Sequence, residues 1–266
     1  MKNLIIIFCL GLFFSSCEDI VDVQLENEAP RVVIEVTGIQ QAFNNEVIVK
    51  GKISKTSSYY SNKINYFENA EMLIELNNQT YSLQNNEDNI LQYIGTLPAV
   101  YNEDYTLTVT FEGEQYQATT QLYKTVPFNR VEQSSNAFDE NYTAINAYFT
   151  DPGEEENYYY FEFFSERHGR IADNTDDELF NGNEISTYYA DEFEPNDNIS
   201  LTIEGISKRF NNYINLVLSQ TGQSNNPFAT NPVSIRGNVI NPENPGKFAF
   251  GYFRMSQRFD TIYRVE

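Results

Sequence analysis

The sequence predicts a mainly β protein, with an N-terminal immunoglobulin-like or fibronectin-like sandwich followed by a second β-rich domain carrying one short helix. Three observations predict it. Seven short runs of strand-forming residues follow one another between residues 31 and 122, at the spacing of small sandwiches. Along Tyr105-Thr106-Leu107-Thr108-Val109-Thr110-Phe111 every second side chain is apolar, the pattern of a strand with one buried face. One stretch, 208–220, carries helical periodicity. A length of 266 residues exceeds the roughly 100–200 of one domain, so two domains are expected. Twenty Phe and 19 Tyr supply material for two cores.

Taken in order, residues 1–16 read as a signal peptide. Met1-Lys2-Asn3 is a short basic start, Leu4 to Phe14 is an apolar run, and Ser15-Ser16 supplies small residues before a cleavage site. The apolar run falls short of the roughly 20 residues that span a bilayer. Cys17 then stands where a lipobox places its acylated thiol, and Phe14-Ser15-Ser16-Cys17 resembles the relaxed lipobox of Bacteroidota lipoproteins. Glu18, Asp19 and Asp22 resemble the acidic export signal that sends such lipoproteins to the cell surface. Residues 17–30 are expected to form the lipidated tether. Cys9 is the only other cysteine, so no disulfide is expected in the body, and its stability must come from burial and hydrogen bonding.

The first domain, 31–126, is read as strands over 31–39, 46–54, 71–77, 79–83, 90–94, 104–111 and 115–122. Asn77-Asn78 and Glu112-Gly113 supply tight turns, because these residues tolerate positive φ. Tyr105 is a candidate tyrosine corner. Pro127 closes a linker, and the second domain, 127–266, starts near Phe128. Strands over 141–150 and 157–165 are expected to form a hairpin around Asp151-Pro152-Gly153-Glu154-Glu155-Glu156. A strand follows over 199–204, and Ser207 caps the helix, whose Phe210, Tyr213, Ile214, Val217 and Leu218 share a face. A loop rich in Pro, Asn and Gly over 222–246 leads to terminal strands over 248–256 and 257–265.

Charge narrows the partners. Against 17 basic residues stand 38 acidic ones, a formal −21, and such a field repels nucleic acid. The only histidine, His168, sits in a charged loop, and no Gly-x-Ser-x-Gly nucleophile motif accompanies it. One histidine and an acylated cysteine do not furnish a zinc site. Asp173, Asp176 and Asp177 form the richest acidic loop and the one candidate for calcium, although their spacing is not that of an EF-hand. No phosphate-cradling or dinucleotide motif occurs, and no cofactor is expected. A carboxylate-dependent hydrolase needs only two acids about 5 to 10 Å apart. Tyr142, Tyr148, Tyr158 and Tyr160 form the surplus aromatic face suited to glycan stacking or a protein interface, unless the 208–220 helix or the other sheet covers it.

Four groups of residues carry a family resemblance. They are Cys17-Glu18-Asp19-Ile20-Val21-Asp22-Val23 with Pro30-Arg31-Val32-Val33-Ile34-Glu35; Asp151-Pro152 with Asn157-Tyr158-Tyr159; Asp176 through Gly182; and Asn226-Pro227-Phe228, Ile235-Arg236-Gly237-Asn238 and Phe250-Gly251-Tyr252-Phe253. Together they resemble a Bacteroidota lipoprotein family built on a domain of unknown function and often encoded beside TonB-dependent outer-membrane receptors. The resemblance implies a lipid-anchored outer-membrane protein, facing the cell surface, that acts without catalysis as an accessory to such a receptor or its cargo. A surface adhesin or glycan-binding module is the alternative.

Overall fold

In the computed structural model, residues 29–57, 63–86, 89–136, 141–221 and 234–266 are described. The strands are β1 (Val32–Gln41), β2 (Glu46–Lys55), β3 (Asn65–Tyr66), β4 (Glu71–Leu76), β5 (Gln79–Asn86), β6 (Asn89–Pro98), β7 (Tyr105–Phe111), β8 (Glu114–Thr120), β9 (Leu122–Tyr123), β10 (Arg130–Ser135), β11 (Thr143–Thr150), β12 (Tyr158–Ser165), β13 (Gly169–Asp176), β14 (Glu184–Asp191) and β15 (Asn198–Gly205). Helix α1 (Lys208–Thr221) and the last strand, β16 (Phe253–Arg264), complete the chain. The protein is mainly β with one α-helix among the described residues, as its alternation and turn chemistry predict.

Alternation builds the first lobe. β16, β1, β2 and β6 form one layer, and β5, β4, β7 and β8 the other. β5 turns the corner: its first half pairs with β4 and its end with β6, with a register shift at Asn85/Asn86. Ile34, Val36, Val47 and Val49 from one layer meet Met72, Ile74, Leu107 and Val109 from the other in a single buried core. Asn77, Asn78, Glu112 and Gly113 all have positive φ, so both hairpins use the turn whose twist matches that of the strands. The Tyr105 hydroxyl accepts from Val100 N–H at 2.8 Å and donates to Pro98 O at 2.9 Å, a tyrosine corner.

The second lobe packs the three-stranded sheet β10-β11-β14 against β13-β12-β15 and the end of β16. Its interior is aromatic: Phe149, Tyr159, Phe161, Phe163 and Tyr189 join Ile145, Ile199, Leu201 and Ile203. The expected hairpin over 141–165 does not form. β11 pairs with β10 and β14, and β12 with β13 and β15, so the loop after Thr150 carries the chain from one layer to the other. Both strands offer an apolar face, and the interior is filled when those faces meet, with the Phe149 and Tyr159 rings 4.9 Å apart, rather than lie side by side.

The two expected terminal strands are one. β16 runs parallel to β1 from Phe253 to Arg258 and antiparallel to β15 from Arg258 to Arg264, and nothing at Ser256-Gln257 favours a turn. The turn falls instead at Gly251, whose φ is +89° and where a Cβ would lie 2.1 Å from Ile34 O, a place only glycine can occupy. Val239, Ala249, Phe253 and Met255 consequently belong to the first core, and the chain crosses the 126/127 boundary a second time. α1 starts where Ser207 caps it, with Ser207 Oγ accepting Phe210 N–H at 3.0 Å, and lies on the outer side of β12 and β13.

Candidate functional site

The outer face of the second lobe follows from strand alternation. With Tyr159, Phe161 and Phe163 turned inward, Tyr158, Tyr160 and Glu162 of β12 face outward, beside Thr202 and Glu204 of β15 and Arg254 and Arg258 of β16. α1 covers the upper part: Tyr160, Ile206, Phe210 and Tyr252 are buried together, and Tyr158, Ala172 and Tyr213 pack against them. Burial pushes the Tyr160 hydroxyl well above its ordinary range, so it stays protonated and donates to Glu162 Oε1 at 3.1 Å.

Below the helix lies an ionic cluster. Glu204 is fully buried and accepts from both Arg254 and Arg258, with Arg258 Nε at 2.9 Å. Arg258 also stands 3.8 Å from Glu162, which pairs with Arg170. Burial raises the Glu204 carboxyl, but the two guanidinium charges outweigh it and hold the group below the usual carboxylate range. Arg254 lies 5.0 Å from the Phe210 ring centroid and 5.4 Å from that of Tyr160, so the cluster also props the helix. Alternation of Arg254, Ser256, Arg258 and Asp260 against Phe253, Met255 and Phe259 is visible in the sequence and marks this face.

Beside the cluster, a cleft of about 430 Å³ opens between the lobes. Its walls are Tyr101, Tyr123 and Lys124 from the first lobe and Glu156, Tyr158 and Lys208 from the second. Lys124 Nζ lies 4.9 Å from the Tyr101 ring centroid and Lys208 Nζ 5.7 Å from that of Tyr158. The Tyr158 hydroxyl donates to Glu156 Oε2 at 2.9 Å; that bond and the Lys208 ammonium hold the Glu156 carboxyl below its usual range. Three tyrosines between cations and a carboxylate offer flat apolar surface with polar edges, a lining that suits a sugar ring or a peptide. Tyr101, Tyr123 and Lys124 escape sequence reasoning, because Tyr101 is about twenty residues from the other two and only the docking of the second lobe makes them one wall of a cleft.

The other expected site residues are dispersed. Cys17, Glu18, Asp19 and Asp22 lie outside the described residues; among those described, no helix is long and apolar enough to cross a membrane. Tyr148 lies on the other sheet, where the Arg130 guanidinium stands 3.7 Å from its ring centroid, and Tyr142 just precedes β11 of that sheet, so the four tyrosines do not share a surface. The expected acidic loop is strand β13: Asp173 pairs with Phe161 and Asp176 with Tyr158, while Asp177 is buried and accepts Asn157 N–H at 2.7 Å. Among the described residues no group of three or more His, Cys, Asp or Glu is gathered as metal ligands. His168 occupies the turn after β12, with Nδ1 3.2 Å from Asp191 and Nε2 3.0 Å from Glu192 O.

Two of the motif groups prove to be joints. Asp151 accepts the Tyr159 hydroxyl and, at 2.9 Å, Gly182 N–H, while the Asn157 amide donates to Pro152 O and Glu155 O. These bonds fix the crossing between layers. At the opposite end, Asn238 accepts Phe253 N–H at 2.8 Å and donates to Phe253 O at 2.7 Å, and Ile34 N–H donates to Phe250 O at 2.8 Å. Asp151 and Asn238, at the centres of the two joints, are buried with their partners satisfied.

Residues 18–261 match the family described as Domain of unknown function (DUF4249). No curated protein matches the chain. Among solved structures, a DUF4785 family protein from Legionella pneumophila is similar at 10% identity and a TM-score of 0.24, over 65% of this chain and 51% of that one. Bovine butyrophilin is similar at 11% identity and a TM-score of 0.21, over 64% and 91%. The FN1–FN3 domains of chicken CNTN1 give 12% and 0.21, over 67% and 61%. The chain spans about half the length of the first of these, and superpositions this slight carry no argument.

Proposed function

The chain belongs to the DUF4249 family, and from that premise we propose that it is a non-enzymatic lipoprotein, held on the outer membrane through Cys17, whose ectodomain is an accessory to a TonB-dependent receptor or its cargo. The observation that carries the reading is at the N-terminus. A basic start, an apolar run and two small residues end at Cys17, and the family match begins at residue 18, the position that follows the lipidated residue once a leader is removed. The tyrosine-lined cleft between the lobes supplies a contact surface for the receptor or cargo.

Mass spectrometry of the N-terminal peptide, from chain expressed in a Bacteroidota host, tests the anchor. The expected peptide starts at Cys17 and carries acyl mass; an unmodified thiol with residues 1–16 still attached overturns the proposal. Affinity capture from detergent-solubilised outer membranes tests the partnership. A β-barrel receptor is expected with the unaltered chain and depleted with Tyr101→Ala/Tyr158→Ala, and recovery of no barrel removes the accessory role. A second reading, glycan binding at the cell surface, is favoured by the same three tyrosines. A glycan array with hits that vanish in the double variant supports it, and an array without hits counts against it.

A further inference from the structure

On the other side of the start of α1 from the cleft lies a cavity of about 400 Å³, walled by Arg209, Asn212, Tyr213, Leu216, Arg236 and Tyr252. In a chain of formal charge −21, this is where two arginines face one cavity without a carboxylate: among the described residues neither Arg209 nor Arg236 has an ion-pair partner. Other Lys and Arg side chains among the described residues, including Arg130, Arg167, Arg254 and Lys247, do pair with acids.

The geometry favours a bound anion. The Arg236 guanidinium carbon lies 3.7 Å from the Phe248 ring centroid, a contact that fixes the group at the cavity wall, and an arginine fork is the side chain that recognises a carboxylate bidentately. Arg209 donates to Gly237 O at 3.3 Å, which ties it to the segment that carries Arg236. That segment is packed against β16 and the turn before it: a Cβ on Gly237 would lie 1.6 Å from Gly251 O, and Asn238 is bonded twice to Phe253. The rest of the wall is suited to a ring. Tyr213 is partly exposed at the cavity and is backed by the buried Tyr252, with ring centroids 4.9 Å apart at 43°, and the exposed Asn212 supplies an amide donor and acceptor. Glu35 is the nearby acid; after burial, its charge is the next cause of the raised Tyr213 hydroxyl pKa.

We infer that this cavity binds an acidic saccharide of the uronic-acid type, with its carboxylate between Arg209 and Arg236 and its ring against Tyr213. The site is separate from the cleft proposed for the receptor or its cargo and stands whether or not that contact exists.

Calorimetric titration of the full chain in detergent with glucuronate, glucose and inorganic phosphate tests the inference. Glucuronate is expected to bind saturably and at least about ten-fold more tightly than glucose, which lacks the charge for a charge-assisted hydrogen bond to arginine, and more tightly than phosphate, which pairs with arginine but has no ring to lie against Tyr213. Arg236→Gln and Arg209→Gln are each expected to weaken it about ten-fold or more, and Tyr213→Ala to weaken it while the preference for acid over glucose persists. Lys208→Gln, one residue away but facing the cleft, is expected to leave it unchanged. Three results overturn the inference: no saturable heat at about 10 mM glucuronate, phosphate binding as tightly as glucuronate, or binding that survives both arginine substitutions in variants whose circular dichroism and urea midpoint are unaltered.

Discussion

In the first lobe the buried side chains are chiefly Val, Ile, Leu and Met, with Tyr93, Tyr105, Phe111 and Tyr116 among them, and two of its hairpins close in tight two-residue turns. In the second lobe the interior is filled by Phe and Tyr, and on the outer side of the same strands a carboxylate is sealed between two arginines under a helix. The difference separates two ways of fixing a sheet. Aliphatic alternation sets register locally, since a shift of one residue would turn every buried side chain to solvent. An aromatic interior with an ionic cluster outside depends on partners distant in sequence: Glu204 meets Arg254 and Arg258 only when β16 is in place, and β16 is also a strand of the first lobe.

The largest test of that contrast is Glu204→Gln. Removing the carboxylate leaves two arginine charges without their counter-ion in a buried setting, and a loss of about 3–5 kcal/mol is expected in urea denaturation. The triple variant Glu204→Met/Arg254→Met/Arg258→Met is expected to regain most of it, because desolvation offsets much of what a buried ion pair contributes. A silent Glu204→Gln would show that the aromatic interior alone holds the lobe.

Acid titration sharpens the same point. The folded Glu204 carboxyl lies below its ordinary value of 4.5. Its contribution is therefore present above that value and is lost as the pH falls through the lower folded value. The wild-type urea midpoint is expected to fall on that limb, and Glu204→Gln to flatten it.

In the first lobe a smaller loss is expected. Tyr105→Phe keeps the ring and removes the hydroxyl that joins Pro98 O to Val100 N–H, at a cost of about 1–3 kcal/mol, read from the same urea curves. A cost as large as that of Glu204→Gln would break the contrast, placing a single polar joint at the centre of the aliphatic lobe. Smallest of all is Arg130→Gln at the edge of the three-stranded sheet. Its ion pairs with Glu132 and Glu184 are exposed and screened by water, and no resolvable shift of the midpoint is expected.

Legibility in the sequence follows the same division. The strands around Tyr105–Phe111, the turns at Asn77-Asn78 and Glu112-Gly113, the tyrosine corner and the Ser207-capped helix were readable because each is dictated by residues within a few positions of one another. β13 and β10 were not: Gly169-Arg170-Ile171-Ala172-Asp173-Asn174-Thr175-Asp176 has poor strand propensity and is held by pairing along the whole of β12, a case of tertiary context overriding local preference. The tyrosines of β12 were found, but which of them the helix covers was not, and the cleft wall of Tyr101, Tyr123 and Lys124 had no local signal.

By itself, the sequence determined the β class, the alternating faces, the turns, the helix cap and the net negative field, all of which rest on short-range sterics, hydrogen bonding and charge. Tertiary structure decided that residues 141–165 cross between layers instead of forming a hairpin, that one C-terminal strand serves both lobes, and that Arg209 and Arg236 share a cavity. Those outcomes depend on which apolar faces fill a common interior, a choice made by the whole folded chain and not by any segment of it.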